Sequence, residues 1–227
     1  MIDATALSRL LQLASPMLPV GAYSYSQGLE WAIEEGTVFD LASAEIWITD
    51  VLEYSLCSFE LPVLWRMCQA WRADDRSQIE HWNEVFCAGR ETAESHAETL
   101  QMGYSLLRLL ESLDTGKPFV HGGLQTLTSL SFPVAYACAV AIWKIPLAAA
   151  VQAYAWSWLE NQVSVSMKVI PLGQTDGQRI LLSVGDRLSG LVARACSLKD
   201  EGISNFAPGL ALAGCCHETQ YSRMFRS

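Results

Sequence analysis

The chain reads as all-α: one compact multi-helix domain of roughly eight to ten helices. Three observations carry that reading. Apolar residues recur at helical spacing from one end to the other, and no stretch alternates in the manner of a half-buried strand. Hydrophobic residues make up 51% of the 227 positions, while 17% are charged, which is enough apolar matter for one sizeable core. No repeat and no shift in composition marks a domain boundary.

Taken in order, Leu7, Leu10, Leu11 and Ala14 fall at i, i+3, i+4 and i+7, a first amphipathic helix that ends before Pro16. Residues 26–35 form a second, begun at Ser26 and closed by Gly36. Asp40 or Ser43 starts a third through Trp47, Val51 and Tyr54. Pro62 breaks or kinks the path before residues 63–71. Ser77 caps residues 78–88, with Glu80 at capping-box spacing. Residues 95–113 carry Leu100, Gly103, Tyr104, Leu107 and Leu110 on one face. A connector over 117–131 contains Gly122-Gly123. Two central helices follow, 133–143 and 146 to about 170, the second beginning with proline near its first turn. Residues 178–198 make a further amphipathic helix, 200–209 a loop, and 210–220 a last short helix. The domain thus covers 1–220, and residues 221–227 form a tail expected to stay disordered until a partner binds.

Composition also limits function. A net charge of −9 argues against a general nucleic-acid binder, which needs a basic stripe. So small a charged fraction leaves apolar area for a partner to cover, either a second copy or a different chain. Seven scattered cysteines without a CxxC pair read as reduced thiols of a cytoplasmic protein. The start, Met1-Ile2-Asp3-Ala4, has no secretory pattern. The apolar run 132–143 is too short to span a membrane and is interrupted by Lys144 and Pro146.

Few constellations carry chemistry. Cys215-Cys216-His217 suggests a soft-metal site, yet adjacent helical cysteines point about 100° apart and no fourth ligand is near in sequence. Packing cysteines and a surface histidine is the competing reading. His81 and His96 sit among Glu80, Glu84, Glu94 and Glu98, either a solvated charged face or the site of a metal-dependent enzyme. No Walker loop, HExxH or nucleophile elbow occurs, and residues 185–190 (GDRLSG) lie within a helical pattern. No cofactor is implied.

Three segments stand out. The stretch 15–30 (SPMLPVGAYSYSQGLE) is stiffened by Pro16 and Pro19, turned by Gly21, and rich in tyrosine. It is either a corner packing its own side chains or a recognition loop. Residues 171–178 (PLGQTDGQ) end one helix and begin another. The tail 221–227 (YSRMFRS) sets two arginines, a tyrosine and a phenylalanine at the end of an acidic chain, residue types that anchor interfaces.

Residues 10–30 (LLQLASPMLPVGAYSYSQGLE), 170–178 (IPLGQTDGQ) and 217–227 (HETQYSRMFRS), in this order, resemble the urease accessory protein UreF family. Residues 91–107 and the segment 156–161 (WSWLEN) fit it as well. The resemblance implies an all-α, cytoplasmic homodimer without catalysis of its own. Such a protein binds a UreD/UreH-type partner, recruits or regulates a UreG-type GTPase, and reaches urease apoprotein through that complex during nickel insertion. It further implies a partner-binding surface of Tyr23, Ser24, Gln27 and Glu30, of Lys168 before the PLGQ corner, and of Tyr221, Arg223, Phe225 and Arg226. Met224 stands where the family commonly has leucine, a swap an apolar pocket accepts. On this basis an ordered tail is expected to bring the Arg223 guanidinium to the Tyr23 hydroxyl. An arginine finger from Arg223 or Arg226 is the rival role for the tail, and a snorkelling side chain the rival role for Lys168.

Overall fold

A computed structural model describes residues 2–113, 124 and 127–227. Its helices are α1 (Ala4–Ala14), α2 (Leu29–Glu34), α3 (Leu41–Val51), α4 (Leu61–Ala73), α5 (Arg76–Ala88), α6 (Ala93–Ser112), α7 (Phe132–Ile142), α8 (Leu147–Val169), α9 (Gln174–Ser197) and α10 (Pro208–His217). No strand occurs among the described residues. The Gly122-Gly123 connector lies outside them. No helix of the described residues is long and apolar enough to cross a membrane.

Helices α7 and α8 form the centre. Every residue from Pro133 to Val140 is buried, which is why α7 is apolar on all sides rather than striped. Around them, α8 packs against α9, α1, α2 and α4, while α7 packs against α4 and α6. The close approach of α6 to the start of α7 depends on Gly103. A Cβ there would lie 2.2 Å from the Leu130 carbonyl oxygen. Asn83 secures the same corner: its Oδ1 accepts from the Ser131 N–H (3.2 Å) and hydroxyl (2.7 Å), and its Nδ2 donates to the Ser129 carbonyl (2.5 Å).

Pro62 neither breaks nor ends the helical path. Residues Leu52–Glu60 are wound as a π-helix that leads directly into α4, with Pro62 in its first turn. Proline at 62 cannot donate to the Ser58 carbonyl, and that oxygen accepts instead from the Ser204 N–H at 3.0 Å.

Several ends and faces differ from the sequence reading. Asp75, not Ser77, caps α5, its Oδ1 accepting from the Gln78 N–H at 3.1 Å. Thr92 caps α6 reciprocally with Ser95, so this helix starts before the expected Ser95. Helix α9 begins at Gln174, because Asp176 reaches back to the Gly173 N–H (3.2 Å). The buried face of α1 is Ala6, Leu10 and Leu13, while Leu7 and Leu11 look outward. Tyr54, on the path of the third expected helix, and Tyr104, placed on one face with Leu107 and Leu110, are likewise exposed. The GDRLSG stretch is helical within α9, as its pattern requires. All seven cysteines are free; Cys57, Cys68 and Cys138 are buried, whereas Cys215 is exposed.

Candidate functional site

The loop at 21–28 turns three times through left-handed backbone: Gly21 (φ +81°), Gln27 (φ +55°) and Gly28 (φ +82°). The last two postpone α2 to Leu29 and turn Ser26 inward, so Ser26 does not cap that helix. Gly28 also lets α10 come close, since a Cβ there would lie 3.1 Å from Ala213 Cβ and 3.2 Å from the Gly214 nitrogen. Helix α8 supports the loop from beneath through three consecutive-face side chains. Trp158 Nε1 donates to Gln27 Oε1 (2.7 Å), the Tyr23 hydroxyl donates to Glu160 Oε2 (3.1 Å), and Asn161 Nδ2 donates to the Tyr25 carbonyl (3.0 Å).

The tail is laid onto this loop. The Arg226 N–H donates to the Ser24 carbonyl at 2.9 Å, and the Ser26 and Gln27 N–H groups donate to the Ser227 carbonyl at 2.7 and 2.9 Å. The Ser26 hydroxyl donates to that same oxygen. Glu30, buried at the start of α2, accepts from the N–H groups of Met224 (2.6 Å) and Phe225 (3.0 Å). The Phe225 ring is buried, and the Lys168 ammonium sits 5.4 Å from its centroid. Residues 224–227 lie against the body, where the loop and Glu30 supply partners for their backbone donors.

Charge organises the rim. His217, wholly buried, has Nδ1 2.7 Å from Glu94 Oε2 and Nε2 3.2 Å from Glu30 Oε2. Arg223 pairs with the other Glu94 oxygen. The expected Tyr23–Arg223 contact is therefore not made. Tyr23 faces Glu160, and burial together with that carboxylate raises its phenol well above the usual range. The tyrosine that meets a tail arginine is Tyr25: burial pushes its ionisation up, while a hydrogen bond from Arg226 works the other way.

Glu98 lies deepest. Its Oε1 accepts from Gln27 Nε2 (2.7 Å) and its Oε2 from the Ser227 hydroxyl (2.8 Å). Burial raises its carboxyl to about 7 against the lowering effect of those bonds and of Arg90. It borders a cavity of about 170 Å³ shared with Tyr23, Glu60, Asn161 and Ser227. Thus Glu94 and Glu98 do not belong to a solvated face. Neither they nor Cys215, Cys216, His217, His81 or His96 form a metal-ligand group: among the described residues no set of three or more His, Cys, Asp or Glu is arranged to hold an ion. Both nitrogens of His217 are already engaged by carboxylates, and His81 is exposed with its ring edge-on to Trp82.

The structure therefore gathers Ser24, Gln27, Glu30, Lys168, Arg223, Phe225 and Arg226 into one site and leaves Tyr221 fully exposed beside the docked segment. Tyr23 belongs to the loop's support. Sequence reasoning gave no partner-binding role to Tyr25, Ser26, Trp158, Glu160, Asn161 or Ser227, and weighed Glu94, Glu98 and His217 only as metal-site or charged-face residues. The usable signal was an unexplained glutamate pair at i, i+4 (Glu94, Glu98) and a Trp, Glu and Asn cluster on an otherwise apolar helix.

A family model described as UreF matches residues 38–185, a range that begins after the loop and ends before the tail. Full-length relatives cover both. The chain is 54% identical over 227 residues to the urease accessory protein UreF of Methylobacillus flagellatus, with 100% of each chain covered. It is 54% identical over 223 residues to that of an Azoarcus species, covering 97% of this chain and 95% of the relative. It is also 43% identical over 229 residues to the bifunctional urease accessory protein UreEF of Bordetella bronchiseptica, covering 100% of this chain and 53% of that protein.

Proposed function

Since the chain belongs to the UreF family of urease accessory proteins, we propose that it is a non-enzymatic adaptor in nickel insertion. In this reading it binds a UreD/UreH-type protein and, within that complex, recruits or regulates a UreG-type GTPase acting on urease apoprotein. It works as a homodimer in the cytoplasm. The observation that carries the reading is the docked tail. Backbone bonds to Ser24, Ser26, Gln27 and Glu30 hold residues 224–227 in one conformation, while Tyr221 and Met224 keep their apolar surface outward. A fixed backbone presenting exposed apolar and cationic side chains suits partner recognition, because less entropy is lost on binding.

The two tail arginines act here as positioning groups. Arg223 is tied to Glu94 and Arg226 to Tyr25, whereas an arginine finger needs a guanidinium free to reach a phosphate. The relative that joins a UreF unit to a second accessory unit in one chain supports work inside a larger assembly. The test is co-purification of the full chain with a UreD/UreH-type protein, followed by addition of a UreG-type GTPase. Stepwise binary and ternary complexes are expected. Absence of the binary complex at micromolar concentrations overturns the proposal.

A further inference from the structure

We infer that Glu98 is a proton-operated latch for the tail: with its carboxyl neutral the tail is held in the loop, and with it ionised the tail lets go. The inference concerns this chain alone and stands whether or not a partner uses the tail.

Among the described residues, Glu98 is the one carboxyl clasped by both the loop and the tail. The tail reaches it through the Ser227 hydroxyl, and the loop through Gln27 Nε2. Gln27 is fixed in turn, because its Oε1 takes the Trp158 indole N–H and its own backbone N–H donates to the Ser227 carbonyl. Glu98 itself is 7% exposed. Both contacts survive protonation. Oε1 goes on accepting from Gln27, while a proton on Oε2 is donated to Ser227, whose hydroxyl can accept as readily as donate. The neutral form therefore keeps every hydrogen bond without burying a charge.

The ionised form has poor company. From the connection between α5 and α6 it faces Arg90, a cation already paired with Glu60 at 3.2 Å. From the π-helical segment it faces the Glu60 carboxylate itself, and from α8 the Tyr154 hydroxyl, which donates to Glu60. From the loop it faces Tyr25, backed by Arg226 of the tail. One turn earlier on α6 lies Glu94, occupied by His217 and Arg223. A buried carboxylate so placed gains most by rehydration, and the tail is the cover whose removal opens it to water.

The sign follows from linkage. Glu98 is raised to about 7 with the tail docked, chiefly by burial, and returns towards the ordinary carboxylate range when the tail leaves. The docked state thus holds the extra proton. Docking is tightest in acid, weakens as pH climbs towards about 7, and levels off above it. Each unit of difference between the two states is tenfold in the docking equilibrium.

Hydrogen exchange on the full-length chain reads this out, through the amides of Ser26, Gln27 and Arg226, with intrinsic rates corrected for pH. Protection is expected to fall about tenfold between roughly pH 5.5 and 7.5. Glu98→Gln, which mimics the neutral acid, keeps high protection at both values. A wild-type protection that does not change, or an equal fall in Glu98→Gln, overturns the inference. Should that variant fold poorly, the wild-type Trp158 indole N–H resonance decides. It shifts with a midpoint near the Glu98 value if the carboxyl titrates through Gln27, and an indole that does not titrate overturns the latch.

Discussion

Glu30 and Phe225, 195 residues apart, are joined by a 3.0 Å hydrogen bond from the Phe225 N–H to Glu30 Oε2. The partner oxygen takes the Met224 N–H, so one carboxylate at the start of α2 caps two consecutive tail amides. Burial excludes water from competing for those donors. A single side chain at the start of α2 thereby fixes the direction in which the tail crosses the loop.

Glu30→Gln tests that role. The amide offers one acceptor and one donor group where two acceptors are required, so one tail N–H loses its partner. Charge-assisted bonds of this kind contribute about 1.5–3 kcal/mol each. Amide protection at Met224 and Phe225 is expected to drop by one to two orders of magnitude, and capture of a UreD/UreH-type partner to weaken with it. Exchange at Val134 to Val140 in α7 serves as the internal control and stays unchanged.

A second prediction separates the two loop tyrosines. Tyr23 donates to Glu160, and Tyr25 meets Arg226. Tyr23→Phe and Glu160→Gln each disturb one partly buried bond, at a cost of about 0.5–1.5 kcal/mol. The double variant is expected to lose no more than the worse single one, since both act on the same contact. Tyr23→Phe with Arg223→Ala, by contrast, adds. Urea unfolding midpoints of the wild type, the three single variants and the two double variants check this. Additivity in the first pair would show that the Tyr23–Glu160 bond carries no weight.

How far the sequence revealed this arrangement can be argued from single positions. Helices were legible wherever one face is apolar and one polar, so the existence of nearly every element was readable. The phase was less so. Leu7 and Leu11 satisfy the same spacing as Leu10, yet only Leu10 is buried, because a stripe on α1 cannot say which edge α8 will cover. Ser26 looked like a helix cap, since a serine before an apolar run is one locally. Its hydroxyl goes to Ser227, a residue 201 positions away. For Glu98 the only local signal was its spacing from Glu94, which does not say that it is buried. Its environment is assembled from the π-helical segment, the α5–α6 connection, α8, the loop and the tail, and only the fold brings those together.

Glycine chemistry gives a third prediction. Gly21 and Gly28 share nearly the same backbone, φ +81° and +82°, but a Cβ at Gly21 meets open space, whereas one at Gly28 meets α10. Alanine at either position bears left-handed strain of about 1–2 kcal/mol. Only Gly28→Ala adds a collision with the backbone of α10, the helix that carries His217 into the site. Thermal melts should therefore place Gly28→Ala clearly below Gly21→Ala. Tail protection should fall in Gly28→Ala and hold in Gly21→Ala. Equal losses in the two variants would remove the contact argument.

Phe225→Ala probes how the tail's apolar anchor divides its effect between docking and folding. The ring is buried against the core, and truncating a buried phenylalanine costs about 3–5 kcal/mol where the residue cannot leave. Here it can. Residues 224–227 are held by the loop backbone and Glu30 rather than by the helix packing, so once the anchor is lost they open locally and the remaining helices stay packed. The expected outcome is a loss of amide protection at Met224 to Arg226 with a melting temperature that moves by only a few degrees. Lys168 grades the same contact from outside. Its ammonium covers the Phe225 ring at an exposed position, an attraction of about 0.5–1 kcal/mol. Lys168→Ala should loosen the tail a few-fold and Lys168→Arg should restore it, whereas a lysine that merely reaches for solvent would leave exchange unchanged in both.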